Sequence, residues 1–272
     1  MPELSILKSL ILGILQGATE FLPVSSSGHL VIAQDLLGVR LEGAQMLAFD
    51  VCLHLGTLFA VVAVFWRDII EIVVGIFRPT MTSIDIGGRR LFLLLVVGTL
   101  PAVVAVCLFR DIFENLISNS TAAATMLLVT GTFLFLTRFA RDSGAPLSIC
   151  RAVLIGIAQA FAITPGISRS GATISAALFS GISREKAARF SFLLALPAIL
   201  GAFILHIDEL AVLSFDLLLS VFAGTAAAAV TGFFCIKWLL RIIVRGGFTS
   251  FGYYCWAVGI SVIIYKVVSD VM

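Results

Sequence analysis

The sequence predicts an all-α polytopic membrane protein with six transmembrane helices and two re-entrant helical hairpins in an inverted repeat. Three observations support this fold class. Long apolar runs recur along the 272 residues, of which 60% are hydrophobic and only 12% are charged. Two further apolar segments are interrupted by proline and share a sequence pattern. Basic residues collect between particular runs, which is typical of loops on one side of a membrane.

The six spanning helices are predicted from apolar runs that are close to the length needed to cross a bilayer, which is about 20 residues with a lower limit of about 17. A soluble domain carries about 25% charged residues, so the composition excludes an ordinary soluble fold. The runs are Phe49–Trp66, Leu91–Phe109, Ala122–Phe139, Phe190–Leu205, Leu217–Trp238 and Phe251–Val268.

A duplicated unit is predicted from sequence matches at one constant offset of 143 residues. Such internal similarity indicates that one structural unit occurs twice. The chain therefore divides into two copies, about 1–143 and 144–272, within a single membrane domain. The segments that match at this offset are Gly13–Gln16 with Gly156–Gln159 and Ser25–Gly28 with Ser168–Gly171. A weaker match follows later in each half at a different offset, Gly98-Thr99 with Gly224-Thr225.

Each copy begins with an apolar segment that is broken in its middle. Pro23 interrupts the first segment and Pro165-Gly166 the second, and a hydroxyl-rich tripeptide follows each break. Proline ends helices and serine is a preferred N-cap, so each segment is predicted as helix, break, helix. Arms of about twelve residues are too short to span a bilayer. We therefore predict re-entrant hairpins at about 5–35 and 151–181, with breaks enclosed by protein or water.

The distribution of arginine and lysine predicts the orientation. With both termini outside, most of the 18 basic residues fall in inside segments, as the positive-inside rule requires. Three spans separate the two hairpins, so the hairpins enter from opposite faces. Inverted repeats with broken helices place their binding site near the midplane, between the repeats. The net charge of +2 gives no indication of nucleic acid binding.

Polar side chains cluster at the two breaks. Gln16 and Glu20 lie four residues apart on one arm, and Ser26 and His29 lie three apart on the next, so each pair shares a helix face. In the aligned second hairpin Arg169 takes the place of Ser26. A two-fold axis in the membrane plane would bring the tips together. Glu20, Ser26, His29 and Arg169 are therefore predicted to converge in one pocket.

This set of side chains suits a phosphate ester or anhydride. Helix N-termini after each break present amides to an anion, and the arginine fork matches phosphate oxygens. Serine or histidine can attack phosphorus while a carboxylate or imidazole moves the proton. The other polar residues predicted to bind substrate are Gln16, Ser25, Ser27, Ser168, Ser170 and Thr173.

Structural roles stay open for several of these residues. Glu20 and Arg169 can form a buried ion pair, although charged groups in hydrocarbon are costly and are functional by default. His29 can be a hydrogen-bonded packing residue, and Ser25 and Ser27 can cap the helix. Elsewhere, Asp50 and His54 lie four residues apart near the outer end of the first spanning run. They can line the mouth of the pocket or pair with each other, and we favour the structural pair.

At these residues the sequence resembles the undecaprenyl-diphosphatase family, whose overproduction gives bacitracin resistance. Two motifs carry the resemblance, which extends along the whole chain. One is an acidic (E/Q)xxxE motif, here Gln16 to Glu20, with the serine-rich stretch Pro23–His29 after it. The other is PGxSRSxxT, here Pro165–Thr173. Gln16 stands where some members have glutamate, so Glu20 would carry the role of that motif alone.

The resemblance implies a function, a set of residue roles and a location. The function is hydrolysis of undecaprenyl diphosphate to undecaprenyl phosphate and inorganic phosphate, which recycles the lipid carrier for peptidoglycan synthesis. Ser26 and His29 match the nucleophile region, and Arg169 matches the phosphate-binding arginine. The family is described as aided by a divalent cation, Mg²⁺ or Ca²⁺, which would sit between Glu20 and the diphosphate. The implied location is the bacterial inner membrane, with a site that faces the periplasm.

A polyprenyl-phosphate flippase or transporter is the alternative function, because inverted repeats with broken helices are typical of transporters. A carrier needs the arginine and the amides, but not an acid, a serine and a histidine together. For the enzyme, the sequence leaves open whether Ser26 or His29 is the nucleophile and whether Glu20 or His29 is the base. The expected partners are a polyprenyl diphosphate lipid and the bilayer, with a homodimer as one alternative.

Overall fold

The computed structural model describes residues 4–78, 81, 82, 86–117 and 120–271, of which residues 110–117, 120 and 269–271 are described by backbone only. Within this described part the chain forms eleven α-helices joined by short connections. They are α1 (Ile6–Phe21), α2 (Ser26–Leu36), α3 (Gly43–Val64), α4 (Trp66–Phe77), α5 (Gly88–Ile117), α6 (Ser120–Leu136), α7 (Ile149–Phe161), α8 (Arg169–Phe179), α9 (Arg184–Leu205), α10 (Phe215–Val244) and α11 (Ser250–Val271).

Six helical segments of the described chain are long and apolar enough to cross a membrane, and each coincides with one predicted run. The all-α class and the six spanning helices are therefore confirmed. Sequence reasoning missed α4, which follows α3 after the single non-helical residue Phe65. The six segments are Gly43–Val64, Gly88–Phe109, Thr121–Phe139, Arg184–Leu205, Phe215–Val244 and Gly247–Val268.

Two helix pairs, α1 with α2 and α7 with α8, occupy the predicted hairpin segments. α1 ends at Phe21, just before Pro23, and α2 begins at Ser26. α7 ends at Phe161 and α8 begins at Arg169. Proline cannot continue a helix, and it disfavours helical backbone in the residue before it. This explains the first break. The re-entrant placement of these pairs in a bilayer stays a prediction.

Each hairpin packs against a spanning helix of the other half of the chain. α1 contacts α10, and α7 contacts α5. A Cβ atom added at Gly13 would lie 2.1 Å from the Gly224 carbonyl oxygen, and one added at Gly156 would lie 2.2 Å from that of Gly98. Small residues let membrane helices approach this closely. These glycines match each other in the predicted repeat, so the two contacts correspond, as the predicted two-fold axis would require.

An aromatic cluster fixes the end of α1. The Phe21 ring is fully buried and packs edge-on against Phe192, with ring centroids 5.9 Å apart. Phe192 in turn packs against Phe65 at 5.9 Å. A Cβ atom at Gly232 would lie 2.8 Å from the Phe21 ring, so glycine makes room for it. Lipid is as apolar as these rings, so close packing stabilises the cluster and holds the neighbouring Glu20 in place.

Candidate active site

The breaks of the two hairpins contact each other. The Ser170 hydroxyl donates a hydrogen bond of 3.3 Å to the Leu22 carbonyl oxygen. A Cβ atom at Gly171 would lie 3.3 Å from the Cβ of Pro23. The start of α8 therefore lies directly against the break that follows α1.

A threonine from α6 organises the second break. The Thr130 hydroxyl donates to the Gly166 carbonyl oxygen at 2.9 Å and accepts from the Ser168 backbone N–H at 3.1 Å. Gly166 has a φ of 89°, a conformation that favours glycine. The Ser168 hydroxyl then caps α8 by accepting from the Gly171 N–H at 3.1 Å. These bonds set the direction in which Arg169, the first residue of α8, leaves the loop.

The first break contains a serine in an unusual conformation. Ser25 has φ 68° and ψ 99°, and it is the only residue other than glycine with a positive φ among the described residues. Such backbone in a residue with a side chain costs on the order of 1–3 kcal/mol and persists only where its surroundings enforce it. Its side chain does not cap α2. The turn at Ser25 places Ser26 as the first residue of α2, facing back towards α1.

Glu20, Ser26 and Arg169 meet in one cluster. The Glu20 Oε2 atom accepts from the Ser26 hydroxyl at 2.7 Å and from the Gln16 amide at 3.0 Å. Its Oε1 atom accepts from Arg169 Nη2. The Glu20 side chain is only 7% exposed and that of Arg169 is 15% exposed. A serine hydroxyl that donates to a carboxylate has the geometry of a nucleophile beside its base.

Arg169 also has a second, unused donor. Its Nη1 atom is buried and has no hydrogen-bond partner within the described part of the chain. An unpaired charged donor in a buried position is costly, and it indicates a missing partner. Gln16 Oε1 is buried and unpaired in the same way. Both Glu20 oxygens therefore have donors, whereas the free Arg169 donor lies where an anionic ligand would approach. The Gln16 oxygen is an acceptor, so only a donor could satisfy it.

His54, for which the sequence left open a place at the mouth of the pocket, is a neighbour of this cluster. Its Nε2 atom lies 3.6 Å from Glu20 Oε2, and its side chain is 34% exposed. The favoured pairing of Asp50 with His54 is present, but it uses the Asp50 backbone and not its carboxylate. The His54 Nδ1–H donates to the Asp50 backbone carbonyl at 2.8 Å, while the Asp50 carboxylate accepts from Gln34 at 2.6 Å. The sequence signal was a pair of polar residues four apart within an apolar span. That spacing does not show in which direction each side chain points.

His29 does not join the Glu20 cluster. Its Nδ1 atom lies 2.8 Å from the Ser25 carbonyl oxygen, and its Nε2 atom lies 2.9 Å from the hydroxyl of Tyr254 on α11. The His29 and Tyr254 rings are stacked, with centroids 5.7 Å apart. Both ring nitrogens therefore have partners, and neither partner is Ser26 or Glu20. The expected convergence on one pocket holds for Glu20, Ser26 and Arg169 and does not extend to His29.

The other hydroxyls predicted to bind substrate form hydrogen bonds within the protein. They lie on the two breaks and the first turns of α2 and α8, so they surround the cluster without entering it. Their contacts are Ser25 with Ser27 at 3.4 Å, Ser168 with Ser170 at 3.2 Å, and Thr173 with the Arg169 carbonyl oxygen at 2.8 Å and with Ser191.

The cluster does not fit a metal ion held by the protein alone. Both carboxylate oxygens of Glu20 already accept hydrogen bonds, from Arg169, Ser26 and Gln16. The described residues include no group of three or more His, Cys, Asp or Glu side chains that could hold a metal ion. Mg²⁺ and Ca²⁺ require several oxygen ligands. The predicted Mg²⁺ or Ca²⁺ therefore stays a prediction, in which the diphosphate would supply most of the ligands.

Comparison with known proteins identifies the family. A family model described as bacitracin resistance protein BacA matches residues 9–261. A relative from Halothermothrix orenii is 42% identical over 266 residues, which cover 96% of this chain and 98% of the relative. The chain belongs to the BacA family. The matched range contains every residue of the Glu20 cluster. The match confirms the resemblance found in the sequence.

Relatives from several organisms share one name. The Halothermothrix orenii protein is named undecaprenyl-diphosphatase. So is a protein from Desulfosudis oleivorans, which is 44% identical over 266 residues, covering 93% of this chain and 96% of its own. A third, from Methanobrevibacter smithii, is 40% identical over 273 residues, covering 95% and 97%. Membership of the BacA family and the six apolar helices make this chain a multi-pass membrane protein.

Proposed function

We propose that this protein hydrolyses undecaprenyl diphosphate to undecaprenyl phosphate and inorganic phosphate, and so recycles the lipid carrier for peptidoglycan synthesis. The observation that carries the proposal is the Ser26 hydroxyl, which donates at 2.7 Å to a carboxylate that also pairs with Arg169. The names of the relatives in the BacA family support the same reaction. The protein is thus an enzyme, a hydrolase that acts on a phosphoanhydride.

Substrate binding begins at Arg169. Its unpaired Nη1 donates to an oxygen of the terminal phosphate, while Nη2 keeps its bond to Glu20. The first backbone N–H groups of α2 have no partner within the helix, and they point towards an anion at the helix N-terminus. The residues that shape this anion site are Gln16, Ser25, Ser27, Ser168, Ser170 and Thr173. Most of their hydrogen bonds lie within one hairpin, and the bond from the Ser170 hydroxyl to the Leu22 carbonyl oxygen joins the two tips.

Ser26 is the nucleophile in this proposal. Its Oγ forms a bond to the terminal phosphorus, the bond from phosphorus to the bridging oxygen breaks, and undecaprenyl phosphate leaves. The hydroxyl proton passes to Glu20 Oε2, with which Ser26 is already hydrogen-bonded. Glu20 passes this proton to the leaving undecaprenyl phosphate and is ionised again. Water then attacks the phosphoserine and gives a proton to Glu20. The bond from phosphorus to Ser26 Oγ breaks, Glu20 returns the proton to Oγ, and inorganic phosphate leaves with Ser26 restored. Arg169 stabilises the charge on the transferring phosphoryl group.

The alternative nucleophile, His29, is disfavoured by its contacts. Its Nδ1 and Nε2 atoms are both hydrogen-bonded, to the Ser25 carbonyl oxygen and to Tyr254. One of these bonds would have to break before a nitrogen could attack phosphorus. The contact between Ser26 and Glu20 needs no such change. The same contact favours an enzyme over the alternative flippase or transporter, because a carrier has no use for a hydroxyl held against a base.

The proposal includes a location and an orientation. The protein lies in the bacterial inner membrane with both termini outside, the two hairpins are re-entrant, and the pocket faces the periplasm. The concentration of basic residues in the predicted inside segments supports this orientation. The equivalent contacts of Gly13 with Gly224 and Gly156 with Gly98 support the inverted repeat. Single cysteines introduced into the predicted inside and outside loops test the orientation and the inverted repeat. They are labelled with a membrane-impermeant thiol reagent in inverted and in right-side-out vesicles.

The reaction is tested by phosphate release from undecaprenyl diphosphate in detergent. Wild-type protein is expected to release one phosphate per lipid, and Ser26→Ala and Glu20→Gln are expected to release none above background. Ser214→Ala changes an exposed serine at the start of α10 and serves as the matched control, with wild-type turnover. Full activity in Ser26→Ala would contradict Ser26 as the nucleophile, and an inactive wild-type protein would contradict the enzyme.

A further inference from the structure

The last helix, α11, contacts the first break at two adjacent residues. The Tyr254 hydroxyl lies 2.9 Å from His29 Nε2. The thiol of Cys255, which is fully buried, lies 3.5 Å from the Pro23 carbonyl oxygen and donates to it. These contacts join residues more than 200 positions apart and lie on either side of Ser25 and Ser26. Nothing in the reaction described above uses Tyr254.

The hydrogen bonds around His29 have a defined direction. A backbone carbonyl oxygen can only accept, so His29 Nδ1 carries the proton that is donated to the Ser25 oxygen at 2.8 Å. In the neutral ring the other nitrogen, Nε2, is then an acceptor. The Tyr254 hydroxyl therefore donates to Nε2. A single chain of hydrogen bonds runs from Tyr254 through His29 to the backbone of Ser25.

The end of this chain is the strained residue of the break. Ser25 has a φ of 68°, and its carbonyl oxygen accepts from the His29 backbone N–H at 3.3 Å as well as from the His29 ring. The next residue is Ser26, whose hydroxyl must point to Glu20 Oε2 to be activated. If the backbone of Ser25 relaxed to a negative φ, the first turn of α2 would rotate and Ser26 would lose this contact.

We propose that Tyr254 is a positioning residue for phosphoryl transfer. Through His29 it holds Ser25 in its left-handed conformation, so that the Ser26 hydroxyl faces the Glu20 carboxylate. The inference rests on the proposed function, because it assigns Tyr254 a role in that reaction. In this inference His29 positions the Ser25 backbone and does not act as a base. Tyr254 acts through His29, and it touches neither Ser26 nor the substrate.

Tyr254→Phe tests this role because it removes the hydroxyl and keeps the ring that stacks on His29. The variant loses one neutral hydrogen bond, so kcat for phosphate release is expected to fall roughly twofold to tenfold, with KM within about twofold of wild type. Tyr253→Phe is the matched control. Its ring packs edge-on against Phe135 and Trp256, and its hydroxyl has no hydrogen-bond partner in the described part of the chain. Its kcat should equal that of wild type.

A double-variant cycle separates positioning through His29 from a general structural role. His29→Gln is made alone and with Tyr254→Phe, and kcat is normalised to the monodisperse fraction in size-exclusion chromatography. If Tyr254 acts through His29, adding Tyr254→Phe to His29→Gln leaves kcat unchanged within twofold. Multiplicative losses in the double variant, or equal kcat in Tyr254→Phe and Tyr253→Phe, would overturn the inference. Absence of phosphate release from the wild-type protein would instead contradict the proposed function.

Discussion

Replacement of Arg169 by lysine tests the geometry of the site most directly. The Arg169 guanidinium has two donors of interest. Nη2 donates to Glu20, and the buried Nη1 has no partner in the described part of the chain. Lysine keeps the positive charge but is a single point of donation, so it cannot hold the carboxylate and a phosphate oxygen in one plane. Arg169→Lys therefore loses one charge-assisted hydrogen bond to the phosphate. Such a bond is worth about 1.5–3 kcal/mol.

That free energy corresponds to a loss of roughly 10- to 150-fold in kcat/KM, since each 1.36 kcal/mol is a factor of ten. The assay is phosphate release from undecaprenyl diphosphate over a range of substrate concentrations, with folding checked by size-exclusion chromatography. Arg138→Lys is the control, because Arg138 lies over the Phe135 and Phe139 rings and is not part of the Glu20 cluster. A value of kcat/KM within threefold of wild type in Arg169→Lys would show that Arg169 only neutralises charge.

Two further predictions concern helix packing and the acidic motif. Gly13→Ala places a methyl group 2.1 Å from a backbone oxygen, so we expect a loss of about 1–3 kcal/mol and a lower apparent Tm in detergent. Gly201→Ala, with no atom within 4 Å, should leave Tm unchanged, and equal Tm values would contradict the close contact. Gln16→Glu puts a second carboxylate beside Glu20, so phosphate release in EDTA should fall, and Mg²⁺ should restore it by a larger factor than in wild type. An equal response to Mg²⁺ in both proteins would refute this.

The fold and the central contact of the site could be predicted because they depend on local patterns. Apolar runs of membrane length determine the spans, and Pro23 and Pro165 mark where helices must stop. The predicted repeat adds one long-range constraint, since an inverted pair of broken helices would have its tips at the same depth. That constraint was enough to place Arg169 against Glu20, which the structure shows as an ion pair.

The remaining contacts could not be predicted, because they depend on how each helix is rotated about its own axis. His54 faces Glu20, and His29 faces Tyr254, although both histidines are polar residues on otherwise apolar segments. Which side of α3 or α2 meets a neighbour is decided by packing over the whole helix, for example by the fit of Phe21 beside Gly232. The positive φ of Ser25 has no sequence signal, because glycine and not serine is the residue that marks such backbone.

Each hairpin packs on a helix of the other half of the chain, and this has a consequence for biosynthesis. α7 packs on α5, which precedes it in the chain. The helix on which the second hairpin packs has therefore been synthesised before that hairpin leaves the ribosome. α1 packs on α10, which is translated roughly 200 residues later, a delay of about 10–40 s at 5–20 residues per second. During that interval the glycine face of α1 is uncovered within the insertion machinery. A nascent chain halted before α10 should therefore keep its first hairpin open to proteases and quality control, whereas the second would already be protected.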